Sequence, residues 1–162
     1  MNKRLSIFLL FIVVLAFPLS ASMVSFLVVE TGLNENVPSS QISTLWGGGL
    51  MSAFFDEGYI VTDSPLVRME KKPSNDFTGQ VEEDYLEAVN AGSEYFILGF
   101  LEYRIVSEKV VPVNITIKLY DISGKKLIYE NVFAVGEGKN LAEEQKYAMD
   151  AGKILISQIK DR

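Results

Sequence analysis

Tyr95-Phe96-Ile97-Leu98-Gly99-Phe100-Leu101-Glu102-Tyr103 is the most apolar stretch of the chain beyond residue 22. Its apolar residues run on without polar alternation, which argues for a strand covered on both faces and therefore central in a sheet. Just before it, Glu82 to Asn90 carries acids in its first turn and sets Tyr85, Leu86 and Val89 on one side. That pattern predicts a short helix ending near Ala91-Gly92. The stretch from Arg68 to Gly79 has loop composition without apolar period and is the candidate mobile segment.

Further toward the N-terminus, Tyr59-Ile60-Val61-Thr62 reads as a brief strand with Asp63-Ser64-Pro65 as its turn. Upstream of it, Ile42, Leu45, Trp46, Met51, Phe54 and Phe55 recur at helical spacing. Ser39 or Ser40 can cap this helix, and Gly58 stands where it stops. Val24 to Glu30 is a nearly continuous β-branched run, a second strand buried on both faces. On the C-terminal side, Val113, Ile115, Ile117 and Leu119 alternate with Asn114, Thr116, Lys118 and Tyr120. This is a half-buried strand with one polar face. The chain turns at Ser123-Gly124, with Gly124 expected to supply a positive φ, and returns through Leu127-Ile128-Tyr129 and Val132 to Val135 as an antiparallel hairpin. Leu141 to Ile159 closes the chain as an amphipathic helix with Leu141, Ala148, Gly152, Leu155, Ile156 and Ile159 inward.

The expected architecture is α/β: a single domain with a mixed five-stranded sheet and helices in the order β-α-β-α-β-β-β-α, like that of an anticodon-binding domain. No internal repeat is visible, and the connection from Tyr103 to Val113 reads as short.

Residues 1–22 read as a signal peptide and 23–162 as the domain. Asn2-Lys3-Arg4 gives a positive start, Ile7 to Phe17 is an apolar run, and Pro18-Leu19-Ser20-Ala21-Ser22 supplies a breaker and small residues. At 1.5 Å per residue the run covers about 17 Å against a hydrocarbon core of about 30 Å, so cleavage after Ala21 or Ser22 is expected, an uncleaved anchor being the alternative. The exported part should then have no stable membrane span.

The 162 residues are 48% apolar and 22% charged, with neither Cys nor His. That excludes disordered and disulfide-stapled classes, Ser-His-Asp and Cys-His nucleophilic sites, and the usual zinc ligand sets. The net charge is −6, and removing Lys3 and Arg4 with the leader makes the remainder more negative still. Nucleic acid is therefore not expected as a partner, and Lys71-Lys72 and Lys125-Lys126 read as solvated turn residues.

The strand ending in a polar residue, the long helix closing on Gly58-Tyr59-Ile60-Val61 and the short helix running into Ala91-Gly92-Ser93-Glu94-Tyr95-Phe96-Ile97-Leu98-Gly99 carry a resemblance. So do the hairpin Leu119 to Lys125 and the closing helix. Over about residues 24 to 160 the chain resembles envelope domains related to the curli-secretion protein CsgG, the penicillin-binding-protein activator LpoB and the N-terminal domain of TolB. The resemblance implies a periplasmic, non-enzymatic domain that works by contact. The chain departs from the lipoprotein members in having no Cys to lipidate, and from CsgG in lacking long amphipathic pore hairpins.

Among candidate sites, Gly47-Gly48-Gly49 falls inside the first helix, where each glycine costs roughly 1 kcal/mol relative to Ala, so a close crossing over the sheet or a helix break is expected. A phosphate loop is rejected, because these glycines lie beyond the cap and are not followed by Lys-Ser/Thr. Glu30 and Asn34, at the end of the first strand and in the loop after it, occupy the place where open α/β sheets bind ligands, although a solvated loop is the more ordinary reading, since carboxylates at strand ends are commonly exposed. Glu82-Glu83-Asp84 could ligate a divalent cation, but the first-turn dipole already explains them. Glu102 and Arg104 are expected to pair, and Trp46 to lie in the core. No cofactor is expected.

The favoured reading is a binding or scaffolding domain of the cell envelope that meets another envelope protein, with Asn114, Thr116, Lys118, Glu30 and Asn34 as candidate contacts. Its alternative is a small carboxylate-dependent hydrolase built on Asp56, Glu57, Asp63 and Glu30. Self-assembly into a homo-oligomer depends on an unpaired sheet edge.

Overall fold

A computed structural model describes residues 21–33, 41–107, 109–136 and 140–162. The leader up to residue 20, Asn34 and the Ser39/Ser40 cap lie outside these. The elements are β1 (Met23–Thr31), α1 (Gln41–Asp56), β2 (Ile60–Asp63), β3 (Val67–Met69), α2 (Gln80–Ala91), β4 (Tyr95–Val106), β5 (Lys109–Asp121), β6 (Lys126–Ala134) and α3 (Leu141–Lys160). They form one mixed sheet ordered β2-β1-β4-β5-β6, with β3 also on β1. β1 runs parallel to β2, β3 and β4, while β4-β5-β6 is an antiparallel meander. The run from Tyr95 is central, as its continuous apolarity predicts.

The sixth strand corrects the five-strand expectation. Asp63 pairs with Phe26 and Val67 with Val29, so β2 and β3 form one edge with an extra residue between them, and Ser64 N–H still donates to Phe26 O at 2.9 Å. Pro65 sits in this bulge, where its missing N–H costs no ladder bond. Arg68 and Met69 are therefore strand rather than loop.

Two apolar layers flank the sheet. On one face Phe26, Ile97, Leu101, Ile115 and Ile117 pack against Trp46, Phe54 and Leu155 of α1 and α3. On the other, Leu27, Val29, Phe96, Leu98 and Phe100 meet Val81, Tyr85 and Ala88 of α2. Burial of α2 falls on Val81, Asp84, Tyr85 and Ala88, whereas Leu86 and Val89 are exposed. Tyr85 therefore faces inward as expected, and the two aliphatic residues do not. Leu141 is likewise exposed, while Ala148, Gly152, Leu155 and Ile156 are buried.

The triple glycine does not break α1. A Cβ on Gly49 would come within 2.6 Å of Ala148 Cβ, and one on Gly152 within 2.7 Å of Ala53 Cβ, so the two glycines let α1 and α3 cross closely. The crossing is between helices rather than over the sheet. At the β5-β6 turn the positive φ belongs to Lys125, at 48°, and not to Gly124. Asp121 Oδ1 accepts from Ser123 N–H at 2.9 Å and fixes that turn. The connection from Tyr103 to Val113 is itself a ribbon, with Ile105 opposite Val110 and Arg104 opposite Val111.

Candidate functional site

A polar cleft of about 220 Å³ opens past the C-terminal end of β1, lined by Thr31, Gly32, Lys72, Phe100, Asn114 and Thr116 among others. Three features of the chain make it. β1 ends at Thr31, β5 presents its even-numbered residues on the α2 side, and α2 is too short to cover that face beyond Phe100. The strip left open is the polar face predicted from the alternation of β5.

The expected contact residues divide within this frame. Asn114 is half-buried, and its Nδ2 donates to Glu102 Oε2 at 3.2 Å. Glu102 also pairs with Arg104 at 3.0 Å, as expected, with Glu102 half-buried and Arg104 exposed. Thr116 is buried on the cleft floor. Lys72 places its Nζ 5.2 Å from the Phe100 ring centroid, a cation–π contact at the mouth.

Lys118 is not available to the cleft in the same way. Its Nζ lies 2.7 Å from Asp76 Oδ2 and 3.5 Å from Glu130 Oε1. The Tyr120 hydroxyl donates to the same Asp76 carboxylate. Burial and that carboxylate push the Tyr120 phenol well up, which keeps it a donor. Phe77 stacks edge-on against Tyr85 and Tyr120 at 4.6 and 4.8 Å, and Lys125 sits 4.2 Å over the Phe77 ring. The segment expected to be mobile is thus docked on the sheet by Asp76 and Phe77.

Glu30 is fully buried beneath α1, not solvated. It pairs with Arg68 at 2.8 Å and accepts from Ser43, whose hydroxyl is also 2.9 Å from the Tyr103 hydroxyl. Asn34 lies outside the described residues. The other acids weighed from the sequence fall elsewhere: Asp56 and Glu57 are exposed at the C-terminal end of α1, and Asp63 at the end of β2. Glu57 pairs with Lys160, which holds its carboxyl below the usual range.

Sequence reasoning missed two groups. Arg68, read as loop, is the counter-charge of Glu30. Asp84, read as a dipole residue, is 4% exposed, and its Oδ2 is buried with no hydrogen-bond partner. Burial raises its pKa, hydrogen bonds from Gln80 and Ser64 oppose this, and Glu87 and Glu83 add to it. Glu82 and Glu83 are exposed, so the three acids diverge as helical neighbours must. Among the described residues no group of three or more acids is placed to hold a metal ion.

No protein-family model matches the chain, and no curated protein matches it. Solved structures similar to it include two proteins that the sequence resemblance named. One is the LpoB C-terminal domain from Escherichia coli, 14% identical, covering 75% of this chain and 88% of that one with a TM-score of 0.42. The other is TolB from Acinetobacter baumannii, 14% identical, covering 88% of this chain and 28% of that one at 0.38. A PelC dodecamer from Paraburkholderia phytofirmans is 12% identical, covering 85% and 86% at 0.48.

Proposed function

We propose that the chain is an exported, non-enzymatic domain of the cell envelope that acts by binding another envelope protein, with the cleft around Asn114, Thr116 and Lys72 as its contact surface. The supporting observation is the contrast between Glu30 and that cleft. Glu30, one of the acids at a strand end where catalysis was considered, is sealed against Arg68. Asn114, Glu102 and Lys72 meanwhile offer acceptors, donors and both signs of charge around an exposed opening. Such a mixed polar rim over an aromatic floor suits a protein surface better than a small substrate. Export rests on the leader, whose charged start, short apolar run and small residues fit removal after Ala21 or Ser22.

The test is chemical crosslinking in intact cells followed by identification of what the tagged chain captures. A defined envelope protein should be captured by the wild type and lost, or sharply reduced, with Asn114→Ala combined with Lys72→Ala. Equal capture by both forms, or capture of cytoplasmic proteins alone, would count against the proposal.

One observation favours the carboxylate-dependent hydrolase as a second reading. Asp84, with its raised pKa, lines a pocket together with Asp63 and Glu87. Turnover of envelope glycan that disappears in Asp84→Asn would establish that reading.

A further inference from the structure

Asp84 Oδ2 is sealed from solvent without a hydrogen-bond partner among the described residues. Native chains rarely keep a buried carboxyl oxygen in that condition unless something outside the chain completes it. The surroundings give the missing partner a sign. Asp84 lines a pocket of about 240 Å³ with Asp63, Glu87, Ser25, Thr62 and Ser64, and the lining includes no Lys or Arg. The Ser25 hydroxyl is already engaged by Thr62 at 2.8 Å and by Ser93 at 2.7 Å. Gln80 and Ser64 lie near enough to the carboxyl to favour its charged form, yet Oδ2 has no hydrogen-bond partner. The pocket leaves room for a donor from outside the chain, and its acidic lining favours a cationic one.

The neighbouring backbone indicates how it would arrive. β2 pairs with β1 on one side, and among the described residues no strand pairs with its other edge. An extended segment added along that edge would alternate its side chains between the two faces. One face leads to the acidic pocket. The other leads to a groove of about 220 Å³ whose lining includes Phe26, Val28, Met51 and Leu66.

We propose that the Asp63–Asp84–Glu87 pocket receives the ammonium or guanidinium group of a lysine or arginine side chain from a partner polypeptide laid along β2, with an apolar neighbour in the groove beyond. The ionised head satisfies Oδ2 by a charge-assisted hydrogen bond, and the sheet edge supplies backbone bonds. The site lies apart from the cleft at Asn114, so either can fail without the other.

The experiment is an NMR titration of the full exported chain with acetyl-Val-Arg-Val-amide and acetyl-Val-Lys-Val-amide, with acetyl-Val-Gln-Val-amide as control. The basic peptides should shift the amides of Thr62, Asp63, Ser64, Asp84 and Glu87 and bind at least about tenfold more tightly than the control, the scale of one charge-assisted hydrogen bond. Asp84→Asn, a near-isosteric change, should abolish that preference, and Glu82→Gln, exposed on the same helix, should keep it. Three results would overturn the proposal: equal binding of the control peptide or no binding at all, an unchanged preference in Asp84→Asn, or the same shifts produced by calcium or magnesium alone.

Discussion

Arg68 and Glu30 are 38 residues apart in sequence and 2.8 Å apart in space. Glu30 is fully buried and Arg68 partly so, which makes their worth asymmetric. Replacing both by apolar residues could be close to neutral, but removing the guanidinium alone strands a buried carboxylate. Arg68→Met should therefore cost about 3–5 kcal/mol in denaturant unfolding, and Glu30→Gln less, because the amide retains hydrogen-bonding capacity. Asp84 works in the opposite sense. Its folded pKa lies above the ordinary carboxylate value, so as pH rises the unfolded chain ionises first and stability is lost until the folded pKa is passed. The deficit is absent below about pH 4, grows as pH rises above the unfolded value and levels off only once the raised folded pKa is passed. Asp84→Asn should raise the unfolding free energy at pH 7 by on the order of 1 kcal/mol, with the gain vanishing below about pH 4 in paired thermal melts. A variant that gains stability while losing a basic ligand is the expected signature of a group retained for binding. None of this was legible locally. An acid at a strand end and an acid in a first helical turn each have an ordinary surface explanation, and the burial that changes their meaning comes from distant segments.

The elements themselves were more legible, for physical reasons that differ from one to the next. β1 and β4 lie inside the sheet with helices on both faces, so burial removes the polar alternation and leaves a continuous apolar signal. β5 keeps one polar face, and its alternation could be read directly. β3 left no such trace, because three residues of edge strand beyond a proline bulge carry no period, and Arg68 within it is polar for pairing rather than for solvent. On α2, Leu86 and Val89 mimic an apolar face, yet the helix turns Val81, Asp84, Tyr85 and Ala88 to the sheet. The glycines of α1 make the sharpest element-scale prediction. Gly49 has no room for a methyl group, whereas a Cβ on Gly48 would meet nothing within 4 Å. Gly48→Ala should stabilise by up to about 1 kcal/mol through helix propensity, and Gly49→Ala should destabilise by about 1–3 kcal/mol through overpacking. Equal effects in urea denaturation would contradict the close crossing of α1 and α3.

At the scale of the molecule, the mixed sheet and the order of every element except β3 followed from the sequence, while the surfaces did not. A polar strand face could be named from alternation, but not that Asp76 and Phe77 would draw a loop over Lys118 and leave Asn114 and Thr116 as the open part. β6, nine residues long, ends the sheet on the side opposite β2. Among the described residues neither edge has a further pairing strand, and the acidic pocket beside β2 distinguishes that edge by charge. Among the described residues no helix is long and apolar enough to cross a membrane. Contact through a defined face is the claim on which the functional account stands. Its most direct measurement places a photoreactive residue at position 114, at 72 and, as control, at exposed position 157 on α3, and irradiates intact cells expressing the full chain. The account predicts one envelope protein crosslinked from 114 and 72 and absent from 157. Indistinguishable products from all three positions, or none from 114 and 72, would contradict it.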